Sequence, residues 1–444
     1  MPALVSRTVA VIGAGAAGLS AALELRREGH SVIVYEREAQ IGGTWAYTPE
    51  IEPDPMGLDP SRKVIHSSLY ASLRTNLPRE TMGFRVYPFV ASGKFGRDPR
   101  RFPGHNEVLE YLRDFADEFR LGELVNFGRE VLHVRLGDHR KWIVRSQKGN
   151  GEDGNNEVYD AVVVCNGHYT EPRIAEISGI EEWPGKQIHS HNYRVPDPFH
   201  NQVCLRVVVL IGSSASADDI SRDIAKVAKE VHIASRSVQN EAIGKLPAHD
   251  KIWLHSMINR VHKDGTITFQ DGNVIYADVI LHCTGYKYHF PFLQTNGTVT
   301  VEDNRVGPLY KHIFPPTLAP WLSFVGLPWK VVPFPLFEFQ SKWIAGVLSG
   351  RIPLESTNEM MSDIEAFYSS LEASGIPKRY THQMGESQFD YNDWLAAKSG
   401  SLPTEDWRKE MYYVTGRRKR STPETYRDHW EDEHLIALAH QAFK

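Results

Sequence analysis

No stretch restricts the fold of this chain as much as its start, Thr8-Val-Ala-Val-Ile-Gly-Ala-Gly-Ala-Ala-Gly18. Thr8 to Ile12 is β-branched and uncharged, the pattern of a short strand buried on both faces. Gly13, Gly15 and Gly18 follow as G-x-G-x-x-G, and residues 19–27 continue with the periodicity of a helix. The three glycines serve three mechanical ends, in order a tight turn, a close approach to a pyrophosphate, and a close approach of helix to strand. The helix N-terminus then presents its amides to phosphate. A second strand, Ser31 to Tyr35, ends at Glu36, a carboxylate placed to take both hydroxyls of an adenosine ribose. Strand, glycines, helix, strand and acid stand in the order that a dinucleotide-binding unit requires within ~30 residues.

At 444 residues the chain exceeds one ordinary core, so two domains are expected. A net charge of −5 gives no reason to expect a nucleic-acid partner. Cys165, Cys204 and Cys283 are far apart, with no C-x-x-C. That disfavours a disulfide framework, a metal site or a dithiol redox centre, and it fits a reducing compartment. No secretory leader precedes the first strand, and no apolar run is as long as a membrane span. The expectation is a soluble, cytoplasmic protein. Arg417-Arg-Lys-Arg420 reads as a solvated turn, or as a short targeting or anion-binding signal.

Behind Glu36 comes Gly42-Gly43-Thr44-Trp45. This is either an ordinary turn or flexible backbone, with Trp45 as an apolar wall, packed against a ribityl chain or a ring. Leu73-Arg-Thr-Asn-Leu-Pro78 is a polar insertion between apolar flanks, where Asn76 serves as a pocket donor or as a turn residue. Residues 104–119 are helical in spacing. Strands are read at 131–134 and 142–146, with a Gly/Asn-rich hairpin tip at 148–156. One buried strand is read at 158–165, leaving through Asn166-Gly167.

Val207 to Ile211 runs into Gly212-Ser213-Ser214-Ala-Ser-Ala217, a second dinucleotide fingerprint in degenerate form, with a helix read at 218–228. Its small residues still allow close approach, and serine hydroxyls can bond phosphate. The next strand, Glu230 to Ala234, leads to Ser235-Arg236-Ser237 and carries no acid there. An acid would repel a 2′-phosphate, whereas an arginine between serines would bind it, so the implied coenzyme is NADPH rather than NADH. The plain alternative is a surface arginine. Hairpins are marked at Lys263-Asp-Gly265 and Asp271-Gly272. The strand at 279–283 ends in Cys283-Thr-Gly285, repeating the earlier Cys165-Asn-Gly167. Residues 322–326 return as a strand and 337–348 as a helix, and residues 353–444 read as helical and structural.

Between the two fingerprints lies Trp183-Pro-Gly185-Lys-Gln-Ile-His189-Ser-His-Asn-Tyr193. Fingerprints bracketing W-x-G-x-x-x-H-x-x-x-Y resemble the class B flavin-containing monooxygenases, whose pattern is F-x-G-x-x-x-H-x-x-x-(Y/F). Trp183 replaces the usual Phe, and the family's three-glycine second motif is reduced to Gly212. The resemblance covers nearly the whole chain. It falls within the plant S-oxygenating branch in Leu73 to Glu80, Val162-Val-Val-Cys-Asn-Gly-His-Tyr169 and Cys283-Thr-Gly-Tyr286.

That resemblance implies an α/β fold of two Rossmann-like domains, the NADPH domain inserted into the FAD domain. The boundaries expected are 1–170 and 301–444 for FAD, the latter with C-terminal helices, and 171–300 for NADPH. It implies that NADPH reduces FAD, that O₂ forms a C4a-hydroperoxyflavin, and that oxygen passes to a thioether to give an S-oxide. Methylthioalkyl glucosinolates and S-alk(en)yl cysteines both fit that branch. By carry-over Asn76 is the active-site asparagine, while His189 and Tyr193 order the joining motif. No metal enters this chemistry. N-oxygenation, including the auxin-forming reaction on indole-3-pyruvate, is the second reading. A flavin-binding interaction protein without turnover is the third.

Overall fold

A computed structural model describes residues 5–149, 151, 153–200, 206–247 and 249–443. Cys204 lies outside them. The chain separates into two compact units, one of Met1–Ala46, Leu77–His168 and Tyr288–Lys444, the other of Tyr47–Asn76 and Tyr169–Lys287. Residues 47–76, read above as part of the first domain, therefore pack in the second unit.

In the first unit the strand Thr8–Ile12 pairs in parallel with Ser31–Tyr35 on one side and Ala161–Val164 on the other. Val125–Asn126 and Leu322–Phe324 complete this five-stranded sheet at its edges. The uncharged run of the first strand is explained by its two buried faces. Val9 and Val11 join the cluster of Leu19, Leu23, Phe115 and Trp343, while Ala10 and Ile12 join that of Trp142, Val144 and Phe324. Helices Ala16–Arg27, His105–Glu118 and Pro333–Leu348 supply the first cluster, and an antiparallel sheet containing Arg129–Leu136, Trp142–Lys148 and Asp153–Tyr159 supplies the second. The run read as one strand at 158–165 is two, broken at Asp160. Its carboxylate accepts from the Thr8 amide at 2.8 Å and the Thr8 hydroxyl at 2.9 Å and pairs with Lys141, which ties the break to the start of the central strand.

The C-terminal part is helical, with Thr357–Ala373, Gln388–Ser399, Asp406–Ser421 and Glu433–Ala442. Buried Arg408 donates to the carbonyls of Glu80, Thr81 and Gly83, closing the short helix Arg79–Met82. Arg101 grips the Asp432 carboxylate through both terminal nitrogens, at 2.5 and 2.9 Å. No helix of the described residues is long and apolar enough to cross a membrane.

The second unit repeats the plan. Val207–Ile211 pairs in parallel with Glu230–Ala234 and Val279–His282, and Lys186–His189 and Ile252–His255 extend the sheet. Val208 and Leu210 face one apolar cluster, with Ile220 and Ile224 of the helix Ala215–Ala225. Val207, Val209 and Ile211 face another, with Ile267 and Phe269 of a three-stranded meander. That helix begins three residues before the position read from sequence, because Ser214 already has cap geometry.

Candidate functional site

Two glycines of the first loop are demanded by the protein itself. Gly13 has φ +102°, and a Cβ there would lie 2.7 Å from the Cys165 carbonyl oxygen. A Cβ on Gly18 would lie 1.8 Å from the Gly13 carbonyl oxygen. Gly15 differs: its backbone is extended, and a Cβ would meet nothing nearer than the Gly43 Cα at 3.5 Å. The fold has room for a side chain at Gly15, so the missing one leaves a cradle for a ligand. No side chain caps the helix that begins at Ala16, so its first amides are available to an anion. These features fit a dinucleotide pyrophosphate.

Glu36 is buried, and its carboxylate ties the loop together. One oxygen accepts from the Ala14 amide at 2.7 Å and the other from the Glu38 amide at 2.9 Å. Burial raises its pKa, and the two amide hydrogen bonds oppose that rise. Each carboxylate oxygen has a further lone pair for a ribose hydroxyl. The Gly42 amide donates to the Ala14 carbonyl at 3.1 Å, which seats Gly43, Thr44 and Trp45 of the following turn beside the same loop. Gly13, Gly15, Gly18, Glu36 and Gly43 to Trp45 thus form one constellation. Sequence reading did not single out His168, which follows the strand Ala161–Val164. It is partly buried, its ring lies 5.0 Å from that of Tyr288, and desolvation lowers its pKa to about 4.

The second unit repeats this geometry with different residues. Gly212 has φ +108°, and a Cβ there would lie 2.6 Å from the Cys283 carbonyl oxygen. The amides of Gly13 and Gly212 donate to Tyr35 and Ala234, and those of Cys165 and Cys283 to Ile12 and Ile211. Both Cys-x-Gly exits therefore close their loops through the same bonds. Their thiols are buried and held neutral, that of Cys283 pushed up to about 12. Ser214 has φ −88° and ψ −174°, nearly those of Gly15, and extended backbone of this kind admits any residue. Ala217 is fully buried where the first unit has Gly18. Ser213 and Ser235 join through their hydroxyls at 2.7 Å, which brings the loop to the strand end that carries Arg236. The Ser235 hydroxyl also accepts the Ser237 amide at 3.3 Å and lies 3.5 Å from the Ser237 hydroxyl, so the three serines on either side of Arg236 and in the loop form one hydrogen-bonded chain. Arg236 is exposed and makes no ion pair among the described residues.

The motif between the fingerprints is structural in every polar atom the bonds account for. A Cβ on Gly185 would fall 2.2 Å from the Trp183 ring, so the glycine makes room for the indole. His189 accepts the His191 amide on Nδ1 at 3.0 Å and donates from Nε2 to the Gly285 carbonyl at 3.1 Å. This fixes a neutral tautomer, and burial lowers its pKa to about 3. Tyr193 donates to Asp223 at 2.8 Å. Asn76 is exposed at the end of the 47–76 segment, and its side chain makes no hydrogen bond among the described residues.

Two parallel-sheet units, each with a phosphate-ready loop between strand and helix, define a protein of the class built to hold two dinucleotides. The flavin-binding monooxygenase-like family model matches residues 6–245 and 238–404. Flavin-containing monooxygenase FMO GS-OX-like 4 of Arabidopsis thaliana is 63% identical over 443 residues, covering 99% of this chain and 97% of that one. Among solved structures, S-allyl-L-cysteine S-oxygenase from Allium sativum superposes with a TM-score of 0.97 at 60% identity, covering 99% of each chain. Tmm from a Pelagibacter strain gives 0.78 at 25% identity, over 95% of this chain and 93% of that one. The chain belongs to the flavin-binding monooxygenase-like family. It is an FAD-containing, NADPH-dependent monooxygenase.

Proposed function

We propose that this chain is an S-oxygenase, converting a thioether to its S-oxide with NADPH and O₂. The overall change is R–S–R′ + O₂ + NADPH + H⁺ → R–S(O)–R′ + H₂O + NADP⁺. The observation that carries this reading is the match over nearly the full length of both chains to a structure described as an S-allyl-L-cysteine S-oxygenase. We assign FAD to the first unit, on Gly13, Gly15, Gly18, Glu36, Gly43, Thr44 and Trp45. NADPH is assigned to the second, on Gly212, Ser213, Ser214 and Arg236. Bound flavin supplies the two-electron reduction and the activation of O₂, chemistry that belongs to the cofactor.

The chain's own residues bind, orient and exclude water. The two helix N-termini take the pyrophosphates, and Glu36 orients one ribose while stiffening the loop that carries it. Arg236 reads the 2′-phosphate. The amide of Asn76 holds the nicotinamide coenzyme in register after the flavin has been reduced. The two described cysteines, buried and neutral, suit a reducing, cytoplasmic setting.

Incubation of purified protein with S-allyl-cysteine, a methylthioalkyl substrate, an amine and indole-3-pyruvate, each with NADPH and O₂, tests the reading. Sulfoxide from a thioether is the expected product. N-oxide or indole-3-acetate instead would select the second reading, and no NADPH consumption the third.

A further inference from the structure

The 47–76 segment is held in the second unit by long-range polar ties. Buried Arg194 donates to the carbonyls of Thr48, Glu50 and Ser67, and the buried Glu52 carboxylate holds His191 at 3.1 Å. The end of the segment is attached elsewhere, to the helix Ala215–Ala225. Tyr70 donates its hydroxyl to Asp219 Oδ2 at 3.0 Å, and Ser72 donates its hydroxyl to Asp223 Oδ2 at 2.8 Å. Asp219 and Asp223 are i and i+4, neighbours on one helix face. Tyr70 and Ser72 belong to one turn, closed by the Leu73 amide on the Tyr70 carbonyl at 3.0 Å, and the Ala71 amide is pinned to the Arg194 carbonyl at 2.8 Å.

Asp223 is the junction. It is 6% exposed; one oxygen accepts from both Ser72 and Tyr193, and the other from Lys226 Nζ at 3.0 Å. Hydrogen bonds to an ionised carboxylate are roughly twice as strong as neutral ones. The same helix is preceded by its cap Ser214, in the loop to which NADPH is assigned, and Asn76 lies four residues beyond Ser72.

We propose that Asp219 and Asp223 are positioning residues that clamp the 70–73 turn to the coenzyme helix, so that dinucleotide binding at Ser213 and Ser214 orders the segment ending in Asn76. The ordering is a property of the chain. Its consequence for oxygen transfer rests on the role proposed above for Asn76.

The test uses FAD-loaded enzyme and the Tyr70→Phe/Ser72→Ala double variant, which removes two hydroxyls and keeps both side-chain frames. Amide hydrogen exchange is followed across residues 68–76 with and without NADP⁺. NADP⁺ should slow exchange in the wild type by about tenfold, the factor equivalent to one charge-assisted hydrogen bond. In the double variant the slowing should vanish while flavin content and the NADP⁺ dissociation constant stay unchanged, the melting temperature falls by a few degrees as the two bonds are lost, and H₂O₂ should replace part of the sulfoxide. Ser72→Thr, which restores a hydroxyl, should show the wild-type response. Ser72→Ala alone, at an exposed position, serves if the double variant does not fold, with partial loss expected.

Equal slowing in variant and wild type, or no slowing in the wild type, overturns the clamp. Lost slowing with fully coupled sulfoxidation supports the clamp and removes the role given to Asn76. Asn76→Asp releasing H₂O₂ while the double variant keeps its slowing leaves that role in place and removes the clamp.

Discussion

A methyl group on Gly18 would sit 1.8 Å from the carbonyl oxygen of Gly13, inside any permissible contact, whereas one on Gly15 would have 3.5 Å of clearance from Gly43. The two glycines of one motif therefore answer to different constraints. Gly18→Ala should lower the melting temperature because helix and strand must separate. Gly15→Val should fold with a melting temperature near that of apo wild type and be colourless, since its side chain would occupy the pyrophosphate's place. The ratio of visible to ultraviolet absorbance, read beside calorimetry, separates the two. A yellow Gly15→Val protein with full flavin content would show that the cradle binds something else.

Arg236 stands exposed and without an ion pair among the described residues, so its removal should leave the fold untouched. A charge-assisted contact of about 1.5–3 kcal/mol to the 2′-phosphate translates into roughly a ten- to hundredfold rise in the KM for NADPH in Arg236→Ala. Use of NADH should hardly change. Equal losses with both coenzymes would assign the effect to folding instead.

Asn76→Asp keeps the shape and turn preference of the residue while replacing amide donors with acceptor oxygens. The variant should bind FAD and be reduced by NADPH at the wild-type rate, yet release H₂O₂ in place of sulfoxide. Peroxide and sulfoxide measured in the same reaction give the coupling directly. Full coupling in this variant would leave Asn76 a turn residue.

Burial holds His189 at a pKa of about 3 and His168 and His282 at about 4, all below the ordinary imidazole value of 6.5. The unfolded chain takes up these protons below pH ~6.5 and the native protein does not. Stability from these groups is thus complete above that pH and declines as pH falls toward 4–3, by about 1.4 kcal/mol per pH unit for each histidine. Calorimetry should show the melting temperature dropping steadily from pH 6.5 to pH 4.5. A flat profile over that window would mean that these imidazoles are protonated in the native state.

Much of this was legible in the sequence because it is local. The strand Thr8–Ile12 and the strand Val207–Ile211 are uncharged because both faces are buried, and their following glycines are required by left-handed backbone. The parallel between Cys165 and Cys283 reflects one loop-closing bond made twice. What escaped is non-local. Glu52 meets His191 across 139 positions and Ser72 meets Asp223 across 151, so nothing near residues 47–76 reveals which unit they join. Asp219 and Asp223, read alone, are two acids on a solvated helix face. One local signal was passed over: Asp160, the single charge in the apolar run at 158–165, marks the break between two strands.

The extended backbone at Ser214 has a consequence for how such chains are recognised. Three glycines scored alike conflate a conformational requirement, a steric requirement and a vacancy left for a guest. In the second unit only Gly212 answers to the first of these; Ala217 shows that strand and helix there accommodate a methyl group, and Ser214 that the extended second position accepts a side chain. A loop of this backbone form can thus drift away from the three-glycine pattern at two of three positions without rebuilding its main chain. A search weighted toward the left-handed glycine and the small residue at the strand exit opposite it would still find such loops where the full pattern does not.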